Sequence, residues 1–360
     1  MENRCIIYGA GFYGLIVCDY FLNKEIIPEA IVDKNPDKQG LKWRGKVNII
    51  SPDALDMFDR RIKIIIALAD YSNIYAEIKL FLNEKGFENV EHIYEFSQRD
   101  EFADLFDEQR LILKINSEKI KQNSEKISVV EKIWKDETSR KVYKQIISAL
   151  ENGVVDGIDM LPLKEQYFLN VFSKIDNEVF VDVGGGPTGD VLQEFLERNR
   201  QYCRYYYFEP DENINIVRAQ YENSGKIVFN KLAVSDTEEK LFLKNFMDMN
   251  SVIDGQGEWE VSSISLDTYQ FDESPTFIKI DAEGYERRIL QGAEQTILSC
   301  RPVIACATYH SEEDFWEIPL YLYNKLKDYR YYIRSYLNIS EVILYAIPKE
   351  RWVGYEIQRE

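Results

Sequence analysis

The chain has 360 residues, 45% of them hydrophobic and 29% charged, a mix that excludes a disordered chain and implies two or three globular domains. Its net charge is −18, and residues 151–360 hold −16 of it, a field that opposes docking on a phosphate backbone, so nucleic acid is not an expected partner. The five cysteines are odd in number and form no C-x-x-C pair, which argues against a disulfide framework or zinc knuckle, and no apolar run of about 18 residues or signal-peptide core is present, so the chain is expected to be cytoplasmic with no transmembrane segment.

Residues 1–97 read as strands at 4–8, 29–33, 62–68 and 90–94 with helices at 12–23 and 74–85. Short apolar strands separated by helical patterns imply parallel βαβ units, hence a small Rossmann-like α/β domain. Ser51 before Pro52 reads as a capped helix start. The first strand runs into Gly9-Ala10-Gly11-Phe12-Tyr13-Gly14 with no acid ahead of the glycines, the pattern of a nucleotide-phosphate turn. Gly9, Gly11 and Gly14, with Asp33 at the end of the second strand for a ribose, are its candidate contacts. A domain that braces a dimer or presents an acceptor fits the same residues.

Residues 98–150 are highly charged and free of Gly and Pro. Leu113, Ile120, Ile127 and Trp134 recur every seven residues, with Asn116, Asn123 and Val130 three further on. One long connecting helix is expected, its stripe packing on its own chain or pairing with a second copy over residues 105–134 as a coiled coil in a homodimer.

From residue 151 to 360 a larger α/β domain is expected, with strands at 179–183, 205–208, 227–231, 277–280 and 303–307. A terminal pair at 329–334 and 342–347 is joined too closely to be anything but antiparallel. Five parallel strands followed by such a pair give the layout of the seven-stranded class I methyltransferase sheet.

Ligands of open α/β sheets bind at the carboxyl ends of the strands, and the candidate residues fall there. Asp182 precedes the turn containing Gly184, Gly186 and Gly189. A carboxylate at that point repels a pyrophosphate but suits S-adenosylmethionine, whose ammonium Asp182 would orient while the glycines admit the ligand. Glu209, ending the next strand, can accept from both ribose hydroxyls; a NAD site is the rival reading. Ala233 and Asp236 follow the third strand, on the adenine side or in an ordinary capped turn. Asp281 and Glu283 end the fourth strand, as helix-start caps or as catalytic or metal-binding acids. His310, beyond the fifth strand, is placed to act as general base on an attacking hydroxyl or to cap the strand end. Asp281, Glu283 and His310 together could hold a divalent metal. His92 reads as structural or exposed.

Taken jointly, Glu165-Gln166-Tyr167-Phe168, Phe208-Glu209-Pro210, Leu266-Asp267-Thr268, Ile278-Lys279-Ile280-Asp281-Ala282-Glu283-Gly284-Tyr285-Glu286, Leu290-Gln291-Gly292-Ala293 and Arg301-Pro302 resemble the FkbM family of S-adenosylmethionine-dependent methyltransferases over residues 160–347. The departure is Gly185-Gly186-Pro187-Thr188, where the family more often has Ala-Asn-x. The resemblance implies methyl transfer, usually to a sugar or polyketide oxygen, taken here as a hydroxyl of a sugar in a glycan, glycoconjugate or nucleotide-sugar of surface-polysaccharide biosynthesis, and adds Tyr167 to the cofactor side. Residues 1–97 resemble the small domain that precedes sugar-modifying enzymes, where such a turn holds a nucleotide-sugar. N-methylation of an amine, and a NAD- or nucleotide-sugar-binding protein run by the first turn, are the alternatives.

Overall fold

The computed structural model describes residues 4–36, 38–68, 73–93, 96, 117–152, 158–186, 188–212, 214–221, 223–246, 250–253, 259–337 and 339–353. The chain divides into two compact units: Met1–Lys121, Gln145–Ile158 and Leu337–Ser340 in the first, and Gln122–Lys144, Asp159–Tyr336 and Glu341–Glu360 in the second.

The first unit contains, in chain order, β1 (Cys5–Tyr8), α1 (Phe12–Asn23), β2 (Ala30–Val32), β3 (Lys42–Trp43), β4 (Val47–Ile50), β5 (Lys63–Ile66), α2 (Asn73–Glu84) and β6 (Val90–His92). β1 is buried at every position, as a strand covered on both faces must be. The sheet order is β3-β4-β2-β1-β5-β6, all parallel except β3, which turns back on β4. Strands added outward on both sides of β1 make a doubly wound sheet, whose order reverses between β1 and β5. The sequence pattern predicts no strand at β4, although Val47 and Ile49 point inward and Asn48 outward. Ser51 starts a short 3₁₀ helix, Pro52–Met57, and its side chain caps nothing.

The single long helix expected over residues 98–150 is not what forms. The described part is three helices, α3 (Ser117–Gln122), α4 (Ser124–Ile133) and α5 (Glu137–Asn152); Leu113 and Asn116 lie outside the described residues. Asn123 interrupts the first junction. At the second, Trp134 leaves helical geometry and makes an isolated parallel bridge to Tyr331. Asp136 then accepts the Ser139 N–H at 2.8 Å and pairs with Arg334 at 2.5 Å, a capped start for α5. Ile127, Val130 and Trp134 are buried, so this part of the stripe packs within its own chain, with α4 against a helix of the second unit, Asp314–Lys325.

The second unit continues with β7 (Val179–Val183), α6 (Asp190–Arg198), β8 (Arg204–Phe208), α7 (Ile214–Gln220), β9 (Ile227–Asn230), β10 (Ala233–Val234), β11 (Lys240–Phe246), β12 (Asn250–Ile253), β13 (Trp259–Ile264), β14 (Phe277–Ile280), α8 (Glu286–Gln291), α9 (Glu294–Cys300), β15 (Val303–Ala307), α10 (Asp314–Lys325), β16 (Tyr329–Ser335) and β17 (Val342–Pro348). Its seven-stranded sheet has the order β16-β17-β15-β14-β7-β8-β9. β17 alone runs against its neighbours, the expected terminal hairpin, and the fold is the class I methyltransferase arrangement. Phe180 stacks between Tyr205 and Phe277 with centroids 5.0 and 4.6 Å away, fastening β7 to β8 and β14. A second, four-stranded sheet, β10-β13-β11-β12, occupies a stretch to which the sequence reading assigns no strands. The edge strand β16 is partly covered: Lys135 N–H donates to Tyr331 O at 2.8 Å and Leu161 N–H to Ser335 O at 2.9 Å.

His92 is structural. It is fully buried at the end of β6, edge-on to Tyr75 at 4.6 Å and hydrogen-bonded to the Leu68 backbone. Burial lowers its pKa from 6.5 to about 3. The folded chain therefore keeps His92 neutral while the unfolded chain protonates it, so stability present above pH 6.5 is lost as pH falls toward 3. Urea unfolding at pH 7 and pH 5 should show wild type losing about 2 kcal/mol more than His92→Gln; equal losses would remove His92 from the acid sensitivity of this unit.

Candidate active site

The second unit's site begins with a charge placed where solvent cannot reach it. Asp182 and Lys279 are register partners on β7 and β14, both buried, with Lys279 Nζ 3.0 Å from Asp182 Oδ1. Tyr205 donates to Asp182 Oδ2 at 2.6 Å. Burial alone would strip the lysine of its proton, but Asp182 beside it raises the pKa instead. Asp182 is thus not a rim residue reaching for a ligand ammonium; it is spent on Lys279, which also donates to the Gly184 carbonyl.

That carbonyl begins the glycine turn. Gly184 has φ +74, and a Cβ there would lie 1.7 Å from Asp281 O, so its glycine serves contact between the two strand ends rather than contact with a ligand. Gly189 caps α6 and packs on Val217. Gly186 differs: φ is +75 and nothing lies within 4 Å of an added Cβ. Its N–H donates to Glu209 Oε2 at 2.9 Å, and Asp211 N–H donates to Oε1 at 2.9 Å. Burial raises the Glu209 pKa, against these backbone bonds. A carboxylate has about four lone-pair positions, so two bonds leave Glu209 able to accept more. Ala233 is buried in β10. Asp236 is held by Arg288 at 2.7 Å, a partner the sequence reading did not supply.

The ends of β14 and β15 meet in a denser cluster. Tyr167, buried and expected on the cofactor side, donates to Asp281 Oδ2 at 2.7 Å, and Tyr309 donates to Oδ1 at 3.1 Å. His310 Nε2 lies 3.6 Å from Asp281 Oδ1 and 3.5 Å from Glu283 Oε2, while Nδ1 lies 2.9 Å from Glu286 Oε1. Glu286 Oε1 is anchored by Ala282 N–H at 2.8 Å and Gly284 N–H at 3.3 Å. Glu283 sits in the left-handed region, φ +51, a strained position for a side chain other than glycine. Burial raises the Glu283 pKa.

Three carboxylates around one imidazole overturn its expected protonation. Burial would lower the His310 pKa, but Glu286, Glu283 and Asp281 together lift it to about 10. The three carboxylates thus favour the protonated imidazole, whereas the general-base reading of His310 needs the neutral one. Burial raises and the imidazolium lowers the Glu286 pKa, with the net shift downward. Glu341, bonded to Gln166 at 2.8 Å, is raised to about 7 by burial and then by Asp281. Glu286, Tyr309 and Glu341 are absent from the residues predicted as functional. A signal existed for the first two, since both flank predicted site residues, but nothing in the order of residues folds Glu286 back on His310.

In the first unit, Gly9 has φ +111 and packs against Ala67 O, and a Cβ on Gly14 would meet Gly9 O. Gly11 has open space around it. Asp33, expected to meet a ribose, accepts the Ala10 N–H at 2.8 Å and the Asn35 N–H at 2.8 Å. Lys38 donates to Ala10 O at 2.9 Å.

Residues 182–336 match the family model for the methyltransferase FkbM domain. No curated protein matches the chain. Among solved structures, it is similar to a methyltransferase FkbM from Methylobacillus flagellatus KT, with a TM-score of 0.69 at 18% identity over 96% of this chain and 90% of that one. Precorrin-6y C5,15-methyltransferase from Geobacter metallireducens GS-15 gives a TM-score of 0.32 at 13% identity over 56% of this chain and 99% of that one. An rRNA methylase from Streptococcus thermophilus gives 0.31 at 16% identity, over 49% and 87%.

The two glycines separate packing from ligand access. Gly186→Ala should cost only about 1–2 kcal/mol for its left-handed backbone, while Gly184→Ala, driven into Asp281 O, should lower the melting temperature far more. Equal losses in thermal unfolding would contradict the division.

Proposed function

We infer that this chain, whose residues 182–336 form a methyltransferase FkbM domain, transfers a methyl group from S-adenosylmethionine to a hydroxyl of a sugar. The observation that carries the cofactor is the pairing of Gly186 and Glu209 at adjacent strand ends, 2.9 Å apart, with open space beside Gly186 and acceptor capacity left on Glu209. Glu209 would take the ribose hydroxyls, and the Gly186 backbone would face the rest of the cofactor. S-adenosylmethionine, when bound, supplies an electrophilic methyl on a sulfonium. Asp182 and Lys279 fix the turn without touching the ligand.

The acceptor side is the mouth formed by Asp281, Glu283 and His310. An attacking hydroxyl must lose its proton. Since the surrounding carboxylates favour a protonated His310, we assign that proton to a carboxylate, Glu283 being the more exposed of the two that face His310 Nε2. His310 positions the acids. Methylation of an amine is a second reading, favoured by the same group of carboxylates, which suits a cationic acceptor. A sugar acceptor rests on the resemblance of the site motif, and a cytoplasmic site of action and a homodimer belong to the same proposal. No described helix is long and apolar enough to cross a membrane.

Calorimetric titration with S-adenosylhomocysteine should show binding to wild type and a loss of about tenfold or more in Glu209→Gln, the scale of one or two hydrogen bonds to a charged group. Stabilisation by NAD or a UDP-sugar with none by S-adenosylhomocysteine would sink the reading in favour of the first unit's turn. With labelled S-adenosylmethionine and a panel of sugars and amines, Glu283→Gln should retain cofactor binding and lose roughly 10²–10⁴-fold in turnover; undiminished turnover would remove Glu283 as the proton acceptor.

A further inference from the structure

We propose that Asp281, Glu286 and His310 form a binding site for one divalent cation of the Mg²⁺ or Mn²⁺ class at the carboxyl ends of β14 and β15. Each residue offers one ligand atom, and the three atoms lie within 4.8 Å of one another. Asp281 and Glu286 bound the short connection from β14 to α8, and His310 comes from the segment after β15, so the packing of two strand ends brings them together. Two carboxylates and an imidazole with open positions form a donor set for a hard or borderline divalent ion, the cation displacing the proton that the three carboxylates otherwise favour on His310.

A second observation points the same way. Glu286 is 1% exposed; its Oε1 takes two backbone N–H groups, yet its Oε2 is buried without a hydrogen-bond partner. A buried carboxylate oxygen left so is costly and uncommon, and a cation would satisfy it. Asp281 is also held as a metal-ligating carboxylate usually is, with both oxygens oriented by outer hydroxyls, here those of Tyr167 and Tyr309. Its side chain and that of Glu283 keep partial exposure, 18% and 36%, which leaves an approach for an ion and for an acceptor oxygen. The set differs from the one predicted from sequence by having Glu286 in place of Glu283, and this leaves Glu283 at the rim for the proton.

The cation's task, polarising the acceptor hydroxyl, rests on the methyl-transfer reading, but its binding does not. The test uses the full chain, stripped with EDTA, desalted and titrated with Mn²⁺ by electron paramagnetic resonance, in parallel with S-adenosylhomocysteine by calorimetry. One bound Mn²⁺ per chain is expected, weakened about tenfold or more in Glu286→Gln and in Asp281→Asn, with circular dichroism establishing that each variant is folded. Wild type that takes up no Mn²⁺, or uptake that survives in both folded variants, overturns the site. S-adenosylhomocysteine bound without Mn²⁺ uptake overturns the cation alone; Mn²⁺ uptake without S-adenosylhomocysteine binding overturns the methyl-transfer reading alone.

Discussion

The cluster of strand ends in the second unit hangs on one buried ion pair, Asp182 with Lys279. Two charges removed from water in adjacent strands are tolerated only with good geometry and further hydrogen bonds, and Tyr205 and the Gly184 carbonyl provide these. The pair fixes more than β7 against β14. It holds the Gly184 carbonyl, Gly184 lies against the Asp281 backbone, and Asp281 anchors the hydroxyls of Tyr167 and Tyr309. The acids at the ends of β14 and β15 are thereby positioned by a charge beneath the glycine turn, through direct contacts.

Both units use their second-strand acid in the same way. Asp33, just after β2, accepts the N–H of Ala10 in the turn after β1, and Glu209, just after β8, accepts the N–H of Gly186 in the turn after β7. A backbone N–H in such a turn needs an acceptor, and the neighbouring acid supplies it. The resemblance ends with what surrounds each turn. Gly186 is bonded to Glu209 and accepts from the Tyr207 hydroxyl; around Ala10 the described partners are Asp33 and Lys38.

Much of this was legible in the sequence, for physical reasons that also mark the limit. β15 is a continuous apolar run, and β7 and β14 are apolar apart from Asp182 and Lys279, a pattern that fits strands covered on both faces. The turn glycines and strand-end acids followed from it. The direction in which an acid faces did not: Asp182 and Glu209 both end strands beside the glycine turn, yet one points into the sheet toward Lys279 and the other toward the turn. Protonation was similarly out of reach, because His310 is set by Glu286, a residue 24 positions away in sequence that only the packing of α8 brings near. The heptad from Ile120 to Trp134 correctly marked a buried stripe but not its interruption, since the extended geometry at Trp134 is imposed by Tyr331, a distant strand.

The bridge at Trp134 has a consequence for what counts as the smallest self-sufficient piece of this molecule. β16 is an edge strand, and an uncovered edge is a template for aggregation. Here the carbonyls of Tyr331 and Ser335 are taken by Lys135 and Leu161, residues that precede the family-matched segment. A fragment cut to the matched residues would lose this cover as well as β17, and its sheet would be open to strand addition from another chain. The cover of this sheet's edge thus depends on residues that lie outside the family-matched segment.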